Sequence, residues 1–154
     1  MIEALNGTFE VLIVDDEPGD IELIKAAIQD GHFLCRTHEA WDGVEAMAYL
    51  KRSKPEFMGA PTPDLILLDL NMPRMNGRET LKAIRSDPAL ARIPVVVLTT
   101  SDVEADVLAT YDLGASGFVT KPVDIDKLFR AIHGIEDYWF GIVRNPLLKN
   151  KAAG

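Results

Sequence analysis

The sequence predicts an α/β sandwich, with a parallel five-stranded sheet between two layers of helices. Three observations carry this reading. The runs Val11–Val14, Leu65–Leu68 and Val95–Leu98 are apolar without alternation, as strands are when helices cover both sheet faces. Each run is followed by a stretch with helical spacing of its apolar residues, so strand and helix alternate five times. The 154 residues, 47% hydrophobic and 26% charged, have the size and composition of one ordinary globular domain. Such a chain buries about 68–70% of its unfolded surface and needs no disulfide or structural metal.

The elements follow in order. After the strand at Val11–Val14, Ile21, Ile24 and Ile28 repeat at helical spacing, with Pro18 near the first turn and Gly31 past the end. Phe33–Thr37 is a fainter second strand. Asp42 and Glu45 form a capping-box pattern ahead of Val44, Met47, Tyr49 and Leu50. The segment from Lys51 to Pro63, with three prolines and a glycine, is a long surface connection. Leu65–Leu68 is the third strand, and Leu81 and Ile84 follow Asn76-Gly77 as the third helix. After Val95–Leu98, Ser101 and Glu104 give a second capping-box pattern for a helix carrying Val103, Val107, Leu108 and Tyr111, stopped at Gly114. Phe118–Val119 is the fifth strand. Asp124 precedes the last helix, marked by Ile125, Leu128, Phe129, Ile132 and Ile135. Residues 1–140 are expected to form the domain, and 141–154 a tail without its own fold beyond the last helical pattern.

Charge and cysteine usage narrow the function classes. The chain has 24 acidic and 16 basic residues, a formal net charge of −8. That disfavours nucleic acid or an anionic membrane as partner, because both select Lys/Arg clusters. A single cysteine, Cys35, excludes an internal disulfide and fits a reducing compartment. No apolar run approaches the ~20 residues that span a bilayer, and Met1–Gly7 lacks the pattern of a signal peptide. A cytoplasmic location is expected. His32, His38 and His133 are scattered and are expected to be solvated or at the edge of the core.

Ligands of an open parallel sheet bind beyond the carboxyl ends of its strands. Asp15, Asp16 and Glu17 follow the first apolar run, Asp69 the third, Thr99, Thr100 and Ser101 the fourth, and Lys121 the fifth. The fold reading brings carboxylates, a hydroxyl and an ammonium to one edge. Two unit charges 4 Å apart interact by about 4 kcal/mol at an effective dielectric near 20, so clustered carboxylates require a cation, a raised pKa or a lysine. Oxygen ligands without histidine or cysteine suit Mg²⁺ or Mn²⁺. Metal, point charge and hydroxyl donor around a carboxylate nucleophile are the equipment of phosphoryl transfer through an aspartyl phosphate. Each feature also has an ordinary explanation as a helix cap, a turn or a solvated lysine. Their joint occurrence at four strand ends favours the chemical one.

Asp15-Asp16, the string Leu65 to Pro73 with Asn76-Gly77, Thr99, Gly114 to Phe118, and Lys121-Pro122 resemble the receiver domain of two-component response regulators. The match covers about Phe9 to Tyr138. The resemblance implies a flavodoxin-like (βα)₅ fold with strand order 2-1-3-4-5. It implies Asp69 as phosphoacceptor from a histidine kinase or a histidine phosphotransfer protein. Asp16, Asp69 and the backbone carbonyl of Asn71 would hold Mg²⁺, with Asp15 assisting through water. Thr99 and Lys121 would grip the phosphoryl group, across a cis Lys121–Pro122 bond. Phe118, where many members have tyrosine, would swing inward with Thr99, without a hydroxyl to place on the surface. The segment Gly134–Phe140, the insertion near Pro55–Pro63 and the string Ile93–Ser101 resemble the single-domain regulators that partner bacterial phytochrome kinases.

The function expected is a phosphorelay switch rather than an enzyme, with no output domain following and a homodimer as the favoured form. Tyr138, Trp139 and Phe140 would supply an aromatic contact between copies, the alternative being that they fold back on their own domain. Three other readings fit less well. A haloacid-dehalogenase-type phosphohydrolase wants a second acid where Asn71 stands, and a cap domain. A flavin phosphate would be repelled by Asp15-Asp16-Glu17. A degenerate binding module would have no need of the intact set Asp15, Asp16, Asp69, Thr99 and Lys121.

Overall fold

A computed structural model of the chain describes residues 8–100 and 103–143. Five strands, β1 (Phe9–Val14), β2 (Cys35–Ala40), β3 (Leu65–Leu68), β4 (Val95–Thr99) and β5 (Gly117–Thr120), alternate with α1 (Pro18–Gln29), α2 (Gly43–Lys51), α3 (Gly77–Ser86), α4 (Glu104–Asp112) and α5 (Ile125–Glu136). The strands are parallel throughout, in the order β2-β1-β3-β4-β5. The expected sandwich and its strand order are both present.

Alternation along each strand divides the core in two. Val11, Ile13, Leu65, Leu67, Val96 and Leu98 meet α1 and α5 through Ile21, Ile24, Ile28, Leu128, Ile132 and Ile135. Leu12, Val14, Ile66, Leu68 and Val95 meet α2 and α3 through Ala46, Tyr49, Leu50, Leu81 and Ile84. Both faces of the central strands are therefore dry, which is why their sequence shows no period of two.

The local signals explain most boundaries. Pro18 opens α1 behind Glu17, whose carboxylate accepts from the Gly19 amide. Asp42 caps α2 by accepting from the Glu45 amide, while Glu45 accepts from the Trp41 amide. Asn76 and Glu79 form the reciprocal box of α3. Gly77 is required by close approach, since a Cβ there would run into the Asp69 carbonyl and the Leu70 Cα. The 51–63 connection holds one 3₁₀ turn, Pro55–Phe57.

Several expectations are corrected. The second strand runs Cys35–Ala40, not Phe33–Thr37. It is an edge strand with Arg36, Thr37, His38 and Glu39 at least partly accessible, so its pattern carried little apolar signal. Val44 faces solvent. The fourth helix begins at Glu104 behind Val103, with no side-chain cap; Ser101 lies outside the described residues. Leu108 and Tyr111, expected on its inner face, are exposed. Every peptide bond among the described residues is trans, Lys121–Pro122 included. That is the intrinsically preferred form of an X–Pro bond, and it already carries the lysine ammonium to the acidic edge.

The chain end is also different from expectation. Helical backbone continues past α5 as a wide turn, Asp137–Val143. Phe140 is fully buried, stacked on Phe9 at a 3.8 Å centroid distance and edge-on to Phe33. Trp139 is partly buried against the same cluster, and only Tyr138 of the three aromatics stays largely exposed. The wider turn rotates Phe140 into the bottom of the core, where it closes the space beneath β1. Phe140 is thus a core residue and not a contact between copies. Cys35 is buried, as expected of a small apolar side chain. His32, His38 and His133 stand apart, each facing an acid at the edge of the fold: Asp137, Glu10 and Asp30 respectively.

Phe140→Ala is expected to lower unfolding stability by about 3–5 kcal/mol through lost burial and the cavity left between Phe9 and Phe33. Urea denaturation followed by circular dichroism measures it. A loss under about 1 kcal/mol would show that the ring is not part of the core.

Candidate functional site

The parallel ladders deliver the acidic residues to one edge. Asp15 immediately follows β1, and its amide still donates to Ala40 O at 3.1 Å. Asp69 immediately follows β3, and its amide donates to Val14 O at 2.9 Å. Both are therefore held by backbone at the point where pairing ends, with their side chains beyond the sheet. Both are buried, and Asp16 between β1 and α1 is exposed. One carboxylate oxygen from each of Asp15, Asp16 and Asp69 lies within 4.8 Å of the others.

Lys121 answers this charge. It follows β5, and its amide donates to Thr99 O at 2.6 Å. Its side chain is 8% exposed, and its ammonium lies 2.6 Å from Asp15, 2.9 Å from Asp20 and 3.5 Å from Asp69. Burial disfavours the charged ammonium, but hydrogen bonds to Asp15 and Asp20 and the charges of Asp69 and Asp15 outweigh it, holding the proton well above the ordinary lysine value. Burial dominates at Asp15 in the other direction and raises its carboxyl, with Lys121 and the Glu17 amide opposing.

The remaining expected residues lie on the neighbouring loop and strands. Asn71 is two residues beyond Asp69, its amide 3.4 Å from Asp69 Oδ1 and its side chain exposed. Thr99 ends β4 beside β3 and is fully buried, and its hydroxyl has no hydrogen-bond partner among the described residues. Phe118 lies in β5 opposite Val97 and is half-buried. The edge thus gathers Asp15, Asp16, Asp69 and Lys121 into one charge cluster, with Thr99 at the neighbouring strand end.

Two features escaped the sequence reading. Asp20, in the first turn of α1, touches Lys121 101 residues away, a pairing that local sequence does not signal. Arg74, with a left-handed φ of 61°, places its guanidinium 2.6 Å from Asp42. It ties the loop between β3 and α3 to the cap of α2, helped by the Gly43 amide on Met75 O at 3.0 Å. No local pattern announces that pair, because its members are 32 residues apart.

The donor set is that of a hard divalent cation. Three carboxylates with a nearby carbonyl-bearing loop suit Mg²⁺ or Mn²⁺, which take oxygen ligands and keep positions for water or phosphate oxygens. The Lys121 ammonium beside Asp69 is a hydrogen-bond donor, and the Thr99 hydroxyl at the neighbouring strand end is another, without a partner among the described residues. The arrangement can hold a metal, present a carboxylate oxygen to a phosphoryl donor and stabilise the transferred charge.

Comparison with known proteins agrees. The model of the response regulator receiver domain matches residues 11–133. Response regulator Rcp1 of Synechocystis sp. is 40% identical over 136 residues, which cover 88% of this chain and 92% of that protein. The crystal structure of the phosphorylated cyanobacterial phytochrome response regulator RcpA superposes with a TM-score of 0.81 at 44% identity, covering 86% of this chain and 94% of that one. The Mn²⁺-bound form of Rcp1 gives a TM-score of 0.81 at 40% identity over 90% of this chain and 99% of that one. With the family's motif residues meeting at one sheet edge and most of the chain matched, this protein belongs to the response regulator receiver-domain family.

Proposed function

We propose that the protein is a Mg²⁺-dependent phosphorylation switch in which Asp69 is the phosphoacceptor. The observation that carries this reading is the buried Thr99 hydroxyl, which has no partner among the described residues. Leaving such a group unpaired costs about 1–3 kcal/mol, and a phosphoryl oxygen on Asp69 would satisfy it. Asp16, Asp69 and the Asn71 carbonyl would hold Mg²⁺, with Asp15 acting through water. When bound, the ion neutralises charge developing on the transferred group.

The protein's own residues do the rest. An Asp69 carboxylate oxygen attacks the phosphorus of a phosphohistidine in line. The P–N bond breaks, and the departing imidazole takes a proton. Lys121 and Thr99 donate to the oxygens of the new dianion. Their movement shifts the end of β4, and Phe118 follows toward the space vacated by Thr99. A local charge change thereby biases a two-state surface.

The donor is a sensor histidine kinase, directly or through a histidine phosphotransfer protein. The similarity to the phytochrome response regulator RcpA supports a phytochrome kinase, and the cytoplasm is where such a relay would run. The output goes to another protein through the face of α4, β5 and α5, and a second copy of this chain is the occupant we favour. Leu108 and Tyr111, three residues apart on α4, are both exposed there, which places them side by side on one helix face.

Three results test this reading. Asp69→Asn should abolish the gain of one phosphoryl group in intact mass after incubation with acetyl phosphate and Mg²⁺, with the fold unchanged; equal labelling would reject the assignment. Lys121→Ala should slow labelling and, by removing a cation that competes for the same acids, raise Mg²⁺ affinity about tenfold in calorimetry, equivalent to about 1.4 kcal/mol. Unchanged metal affinity would place the ammonium outside the metal's field. In sedimentation, Leu108→Ser with Tyr111→Ser should shift the phosphorylated protein toward monomer, and an unaltered distribution would remove this face from the dimer.

A further inference from the structure

Lys121 is shared. Its ammonium has three donor positions, and two are taken by Asp15 at 2.6 Å and Asp20 at 2.9 Å, while Asp69 at 3.5 Å is an ion pair beyond ordinary hydrogen-bond length. Asp15 and Asp69 belong, with Asp16, to the acids that would serve a cation. Asp20 does not: it projects from the first turn of α1, outside the three-carboxylate cluster. Asp20 and Lys121 also border a cavity of about 220 Å³ walled by Leu23, Ile24, Pro122 and Ile125. This apolar wall limits screening of the pair and leaves the lysine chain room to move.

We propose that Asp20 is a positioning residue that parks the Lys121 ammonium between metal binding and phosphoryl capture. The proposal rests on the reading of Asp69 as phosphoacceptor and adds a competitor to it. With Asp20 present, the ammonium is drawn away from Asp69, so the metal meets less competition for the acids. The same contact must loosen when a phosphoryl oxygen arrives, so Asp20 also holds back capture of the anion. Its removal has two opposite effects. The ammonium settles onto Asp15 and Asp69, weakening the metal. Once the metal is saturating, the ammonium has one fewer competitor for the anion.

The test compares the wild type with Asp20→Asn, Asp20→Glu and Glu17→Gln, all full-length. Glu17→Gln removes a negative charge from the same edge at a side chain that does not touch Lys121, and so reports the general field. Mg²⁺ alone is titrated by calorimetry, and beryllofluoride, a tetrahedral phosphoryl mimic, is titrated at saturating Mg²⁺. Asp20→Asn should bind Mg²⁺ about threefold more weakly and beryllofluoride about threefold more tightly, the size expected of a partly exposed ion pair. Both shifts should persist at about 0.5 M salt, where the screening length is about 4 Å, and Asp20→Glu should restore both. Thermal unfolding confirms that each variant is folded. Wild-type values in Asp20→Asn, or equal shifts in Glu17→Gln, would overturn the parking role. A wild type that binds Mg²⁺ but no beryllofluoride, and takes no phosphoryl group, would instead overturn the reading of Asp69 and this proposal with it.

Discussion

Three carboxylates facing one ammonium at the carboxyl edge of the sheet, with a fourth beside them, is the constraint on which this molecule turns. Asp15, Asp16 and Asp69 are brought within 4.8 Å of one another, a distance at which like charges repel by a few kcal/mol each at the dielectric of a protein surface. Backbone hydrogen bonds from Asp15 and Asp69 to the strands beside them fix the main chain at both positions. Lys121 makes the metal-free state tolerable, and for the same reason it competes with a metal for Asp15 and Asp69. Stability of the resting state and access of a metal both depend on one side chain shared among three acids.

The scaffold is built to keep that edge rigid. Central strands buried on both faces, with Phe140 closing the space beneath β1, give a core that transmits strain instead of absorbing it. Arg85 works similarly on the other side. Its guanidinium donates to Gly114 O at 2.8 Å and Ile93 O at 2.7 Å and reaches the Ser116 hydroxyl, joining α3 to the segments before β4 and β5. Gly114, at φ 97°, accepts this close approach because it has no side chain to collide with the arginine. The Arg74–Asp42 pair does the equivalent for the loop that carries Asn71.

The fold was largely legible because its strongest signals are local. Four-residue apolar runs, the Asp42–Glu45 box and the acids after the first and third runs all report on their immediate neighbours, and they located the sheet edge and its charges. What failed was non-local. The edge strand β2 pairs on one side only and keeps polar residues, so its boundary was misplaced. Phe140 read as an exposed aromatic because nothing in its neighbours tells of the wide helical turn that rotates it onto Phe9. Leu108 and Tyr111 have helical spacing, but spacing cannot say which side of α4 meets the sheet. Asp20 and Arg74 matter through partners 101 and 32 residues away.

The helix with the weakest local support is also where a signal would have least to overcome. α4 starts at Glu104 behind Val103 without a side-chain cap, turns Leu108 outward and is joined to α3 by the Arg78–Asp106 ion pair. α1, α3 and α5 each have a capping carboxylate or amide and a buried face. Elements with few buried contacts open at lower free energy than the core. In the proposed switch, a dianion on Asp69 draws Thr99 from the end of β4, and the segment it pulls leads directly into α4. A rigid edge on one side and a loosely held helix on the other convert a displacement at a single hydroxyl into a change of surface, without any rearrangement of the sheet.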